Sequence, residues 1–143
     1  MDQKKAKEKL TPEQYHVLIE KGTDRPYSHP YTDESRDGIY VDPLSGEALF
    51  SSKDKFPSSC GWPAFSKPID ETAVYEQNDS SFGMEREEVL SDSSNGHLGH
   101  VFRGPYEGPI GVRYCINGNA LRFIPKEDLE KEGYGAYLVL FKK

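Results

Sequence analysis

Val112-Arg-Tyr-Cys-Ile-Asn117-Gly-Asn119-Ala-Leu-Arg-Phe-Ile124 decides how the chain is read. The first run alternates. If Val112 to Asn117 is a strand, Arg113, Cys115 and Asn117 share one face, and Tyr114 and Ile116 face the core. Ala120 to Ile124 reads as a second run. Gly118-Asn119 stands between the two and predicts a hairpin turn. The pattern is that of an antiparallel β protein with a thiol on its polar face.

Outward from this stretch, short apolar runs between turn residues predict further strands at Ile39 to Val41, Glu47 to Phe50, Thr72 to Glu76 and Met84 to Leu90. Val101-Phe102 and Tyr137 to Phe141 continue the series, and Pro125 to Lys131 reads as one short charged helix. Near the start, Thr11-Pro-Glu-Gln14 has the form of a capping box with Pro at the first helical position. Tyr15, Leu18 and Ile19 follow at helical spacing, and Gly22 is the expected stop. Asp24 to Gly38 is rich in Pro, Asp and Ser and reads as a surface loop.

The chain has 143 residues, with no repeat and no break in composition, so one domain over residues 1–143 is expected. Hydrophobic residues make up only 35% of it but aromatics reach 12%, so Tyr and Phe are expected to supply much of the core. The formal net charge of −6 argues against nucleic acid or an anionic membrane as a partner. No run approaches the roughly 18 apolar residues needed to span a bilayer. Met1-Asp-Gln-Lys-Lys-Ala-Lys is charged with no apolar stretch after it, unlike a secretory signal, so a cytoplasmic location is expected. Cysteine pairs in that compartment tend to be transient and catalytic.

There are two cysteines. Arg113 lies two residues from Cys115 and favours its thiolate, the reactive form. The plainer reading of Cys115 is a small hydrophobe in a strand. Cys60 sits in a Gly- and Pro-flanked loop, free enough to approach a second sulfur, or else is an incidental surface thiol. Trp62, the single tryptophan, stands in a Gly-Trp-Pro turn and offers a flat wall to a small apolar group or a lid over a sheet. His97 and His100 would face opposite sides of a flat strand, but Gly99 permits a bulge that turns both toward one site. Glu88 lies in a charge-rich strand and gives little signal alone. Two kinds of chemistry fit this set. Cys60, Cys115, His97 and His100 are possible zinc ligands by type, although no Cys-x-x-Cys knuckle is present. Alternatively, Cys115 attacks an electrophile and Cys60 closes a disulfide.

Cys60-Gly-Trp-Pro-Ala-Phe, Gly96-His-Leu-Gly-His-Val-Phe102 and Arg113-Tyr-Cys-Ile-Asn117 resemble, in order and spacing, three signature blocks of the B-type methionine-R-sulfoxide reductases. Arg36-Asp-Gly-Ile-Tyr40 and Ser81-Phe-Gly-Met84 extend the resemblance over about Thr11 to Phe123. It implies a mainly β fold: two small antiparallel sheets in a tent-like core with N-terminal helices. It also implies reduction of the R epimer of peptide-linked methionine sulfoxide at the expense of thioredoxin, with oxidised proteins as substrates and no cofactor. By resemblance, Cys115 takes the nucleophile position and Cys60 the resolving one. His97, His100, Asn117, Arg113 and Glu88 fall on polar active-site positions, and Trp62 and Phe102 on the pocket for the ε-methyl group. A monomer is expected.

The chain departs from the family pattern twice. Many members hold a structural zinc with two Cys-x-x-Cys pairs; here those positions read Asp42-Pro-Leu-Ser45 and Ser91-Asp-Ser-Ser94. No bound metal is expected, and hydrogen bonds from Asp42, Ser45, Ser91 and Ser94 are expected to hold the loops instead. The frequent Asp after Val-Phe is also missing, since Arg103-Gly-Pro follows directly.

Overall fold

The computed structural model describes residues 7–57, 60–80, 83 and 85–141. Met1 to Ala6, Ser58 and Ser59 ahead of Cys60, and Ser81, Phe82 and Met84 of the Ser-Phe-Gly-Met motif lie outside the described residues.

In chain order the elements are helix α1 (Pro12–Leu18) and strands β1 (Gly38–Val41), β2 (Ala48–Ser51), β3 (Ala64–Phe65), β4 (Val74–Asp79), β5 (Arg86–Ser91), β6 (His97–Arg103), β7 (Val112–Ile116) and β8 (Arg122–Pro125). They form two antiparallel sheets, a three-stranded one in the order β2-β1-β8 and a five-stranded one in the order β3-β7-β6-β5-β4. The protein is mainly β, as expected. Helix α1 starts as its capping box predicts: Gln14 N donates to Thr11 Oγ1 at 3.1 Å and Thr11 N to Gln14 Oε1 at 2.9 Å. Val17 and Leu18 then bury against the sheets.

Aromatic rings join the two sheets. Phe50 stacks on Phe65 with centroids 4.5 Å apart, Tyr40 meets Phe65 edge-on at 5.2 Å, and Tyr114 lies 5.9 Å from Phe50. Each such pair adds about 0.5–1.5 kcal/mol beyond its area burial. The three-stranded sheet is covered on both sides. Tyr40, Phe50 and Phe123 face the larger sheet, whereas Ile39, Val41, Ala48 and Ile124 pack beneath Leu129 and Phe141 from the C-terminal segment.

Three expectations need correction. Gly118-Asn119 is not a hairpin. Gly118–Ala120 is a turn of 3-10 helix, with Ala120 N donating to Asn117 O and Leu121 N to Gly118 O, and it sends β7 and β8 into different sheets. Tyr137 to Phe141 is not a strand but part of a 3-10 segment, Gly135–Phe141. Its apolar run is continuous rather than alternating, so its period was ambiguous; Phe141 buries while Val139 stays exposed. The helix expected from Pro125 to Lys131 shrinks to a 3-10 turn, Lys126–Asp128. Strand β3 was not anticipated, being only two residues long.

Candidate active site

The cross-strand register brings the chemistry into one row. Ala64 on β3 is opposite Cys115 on β7, Cys115 is opposite His100 on β6, and His100 is opposite Glu88 on β5. Directly opposed residues share a face, so the four strands present these side chains together. Tyr114 and Ile116 face the core from the other side of β7, as the alternation predicts.

The pairing of β3 with β7, extended by Ile116 N donating to Pro63 O at 3.0 Å, lays the Cys60-Gly-Trp-Pro turn over Cys115. Gly61 has φ +94° and carries the turn, and its carbonyl accepts from Tyr27 N at 2.7 Å. The Cys60 and Cys115 sulfurs end 3.0 Å apart as thiols not joined in a disulfide. Arg113 Nη1 donates to Cys115 Sγ at 2.6 Å, while Arg113 Nε is held by Glu107 Oε2 at 2.7 Å and the guanidinium lies over the Phe102 ring. The hydrogen bond to Cys60, followed by burial, pushes the Cys115 thiol well up from its ordinary value, and Arg113 opposes both. The guanidinium does favour thiolate at Cys115, as expected, but with Cys60 in contact it is outweighed.

The two histidines do face one site. Leu90 pairs with His97 and Val89 with Gly99, so Leu98 is an extra residue in β6. This bulge sends Leu98 into the core and leaves the His97 and His100 rings 5.7 Å apart on the thiol side. Gly99 has a further duty: a Cβ there would lie 2.0 Å from the Cys115 carbonyl oxygen. His97 Nδ1 is 2.6 Å from Glu88 Oε2, and both residues are 4% exposed. Burial lowers the His97 pKa, with Glu88 pulling the other way. Lys21 Nζ reaches Glu88 Oε1 at 3.7 Å. His100 Nε2 is 2.7 Å from Asp79 Oδ2.

A cavity of about 300 Å³ opens above this row, lined by Cys60, Trp62, His100, Phe102, Arg113, Cys115 and Asn117 among others. Thr23, Arg86 and His100 also line the adjoining hollow that holds His97 and Glu88. Seven of the nine residues proposed for the site from the sequence thus line this cavity, and His97 and Glu88 line the hollow beside it. The four-ligand zinc alternative does not form. The thiols face each other and Arg113, and the histidines are taken by Glu88 and Asp79. Among the described residues, no three His, Cys, Asp or Glu side chains are grouped to hold a metal.

A family model described as the SelR domain matches residues 10–125, most of the chain. The chain belongs to the SelR family, the B-type methionine-R-sulfoxide reductases. Its members are peptide-methionine (R)-S-oxide reductases, so this SelR protein is an oxidoreductase that acts on methionine-R-sulfoxide.

The positions where many SelR proteins carry zinc cysteines form a hydrogen-bonded knot here. Asp42 Oδ2 accepts from Ser91 Oγ and from Ser94 Oγ, each at 2.6 Å. Asp42 Oδ1 accepts from Leu44 N at 2.7 Å and Ser45 N at 3.2 Å, and the Ser45 and Ser93 hydroxyls lie 2.6 Å apart. One carboxylate surrounded by serine hydroxyls is not a zinc donor set, since structural zinc takes thiolates and imidazoles. The residues present do not fit the metal.

Sequence reading missed four residues of the site. Asp79 partners His100, and only the β4–β5 register, which sets Asp79 opposite Arg86, reveals it. Arg86 lines the cavity from β5. Glu107, in the β6–β7 loop, holds Arg113 Nε at 2.7 Å, and in the sequence it is only an unassigned acid. Asp24 lies 93 residues from Asn117, to whose Oδ1 its N–H donates at 2.8 Å, and nothing in its local sequence points there.

Proposed function

We propose that this SelR protein reduces methionine-R-sulfoxide through a two-thiol cycle. Cys115 thiolate attacks the sulfoxide sulfur while the sulfoxide oxygen takes a proton from the His100, His97 and Glu88 side of the cavity. The attack forms a bond between the two sulfurs; the hydroxyl then passes from the methionine sulfur to Cys115 sulfur as that S–S bond breaks, so methionine leaves and Cys115 remains as a sulfenic acid. Cys60 then attacks Cys115 sulfur, water departs, and a Cys60–Cys115 disulfide remains. A thioredoxin dithiol reduces it by exchange and becomes the oxidised product. Trp62 and Phe102 wall the methyl group, and Arg113 and Asn117 hold the polar side of the cavity. The working unit is a single-domain monomer that repairs oxidised proteins in the cytoplasm.

The observation that carries this reading is the 3.0 Å approach of the two thiol sulfurs beside a guanidinium and two histidines. The test is to mix reduced protein with a peptide-linked R-sulfoxide and no reductant. One methionine per chain and a Cys60–Cys115 disulfide, mapped by mass spectrometry, are expected. Thioredoxin with its own reductase should restore turnover. Stoichiometric product with both thiols still free, or turnover indifferent to thioredoxin, argues against the cycle.

A further inference from the structure

The Trp62 indole and the Asn117 amide are fixed by the same residue, and that residue belongs to neither signature block. Trp62 Nε1 donates to the Asp24 carbonyl at 2.9 Å. Asp24 N donates to Asn117 Oδ1 at 2.8 Å, and Asn117 Nδ2 donates on to Leu98 O at 3.0 Å. The Asp24 carboxylate is itself anchored: Asn119 N donates to Oδ2 at 3.0 Å and Asn119 Nδ2 to Oδ1 at 2.8 Å. Four hydrogen bonds from one residue therefore tie the segment after helix α1 to the Cys60 turn and to the end of β7. Thr23, its neighbour, lines the cavity directly.

We infer that Asp24 is a positioning residue that sets the width of the substrate cavity by holding Trp62 and Asn117 through its backbone, with its carboxylate clamped on Asn119. The backbone groups that touch Trp62 and Asn117 cannot be deleted by substitution. The carboxylate is the handle that fixes them, because it is the only Asp24 side-chain group available to pin that backbone. Freed from Asn119, the segment moves, the indole loses its acceptor at a defined place, and the wall against the methyl group loosens. Substrate binding suffers before chemistry does, since the Cys115–Arg113–Glu107 geometry uses other partners. The inference rests on the reading of Trp62 as a wall of the methyl pocket.

The test is Asp24→Ala assayed on a peptide-linked R-sulfoxide, with the fluorescence of Trp62, the single tryptophan, as a direct reporter. A misfitted apolar group in a pocket changes discrimination by about tenfold or more, and loss of uniform binding appears in KM rather than kcat. Expected is a KM about tenfold higher with kcat within about twofold, together with a red-shifted Trp62 emission. Asp24→Asn keeps one acceptor for Asn119 N and should restore both readouts in part. Asn119→Ala removes one of the two clamps without touching Asp24, and should give the same changes at smaller amplitude should the first variant fold poorly. Parental KM and parental emission in folded Asp24→Ala, or in Asn119→Ala, overturn the inference. Trp62→Ala is run alongside. If it leaves KM unchanged, the methyl-pocket reading is what failed; if it raises KM and Asp24→Ala does not, only the role of Asp24 is lost.

Discussion

Cys115 is held between two opposed influences, and single substitutions separate them. Cys60 at 3.0 Å is the largest upward push on its pKa and Arg113 at 2.6 Å the opposing pull. Cys60→Ser should therefore make Cys115 more acidic than it is in the parent. In that background, Arg113→Met should raise the Cys115 pKa again, because a cation in contact shifts a thiol by about one to three pKa units. The pH profile of Cys115 alkylation in the two variants measures this, and the rate near neutral pH should fall about tenfold or more on loss of Arg113. Identical profiles would mean that the guanidinium does not activate the thiol.

At the level of elements, β6 and β7 carry the site, and their close approach depends on Gly99. A methyl group at that position would meet the Cys115 carbonyl at 2.0 Å, which the two strands can relieve only by separating. Gly99→Ala should cost about 1–3 kcal/mol, the usual range for overpacking. It should lower kcat as well, because the His100–Cys115 pairing lies at the point that must open. Thermal unfolding and steady-state rates check both, and parental values in each would show that the strands tolerate the methyl. The same elements mark what was legible in the sequence. The faces of β7 followed from alternation alone, and the Thr11 capping box gave the start of α1. Gly99 hinted at the bulge but could not say that Leu98 was the inserted residue. The Asn117–Ala120 turn was misread because Gly-Asn serves a hairpin and a 3-10 turn equally, and the choice is made by which sheet takes β8. Asp79 and Asp24 were invisible because their roles arise from pairings across 21 and 93 residues of chain. No local pattern encodes such contacts.

For the molecule as a whole, the β1–β2 and β5–β6 turns are joined through Asp42, which is 0% exposed. Asp42→Ala would leave two hydroxyls and two amides without their acceptor. At about 1–3 kcal/mol for each buried group left unsatisfied, a loss of about 3 kcal/mol or more is expected in denaturant unfolding. Because that knot is not a metal donor set, a chelator should change neither Tm nor activity, and elemental analysis should find no stoichiometric zinc. One zinc per chain would contradict this. Stability should also depend on pH. Burial lowers the His97 pKa below its ordinary 6.5, so the unfolded chain takes up this proton first as pH falls. His97 contributes its full share above pH 6.5 and loses it as pH drops from there toward its lowered value. Tm should fall over that range, and less steeply in His97→Gln; equal slopes would assign the effect elsewhere. In the proposed cycle Cys115 performs the chemistry and Cys60 only the recycling. A single-turnover assay of Cys115→Ser and Cys60→Ser on a peptide-linked R-sulfoxide, with a sulfenic-acid trap present, tests it most directly. Expected are no methionine from Cys115→Ser, and one methionine per chain with trapped sulfenic acid on Cys115 from Cys60→Ser. Product from Cys115→Ser, or none from folded Cys60→Ser, would contradict it.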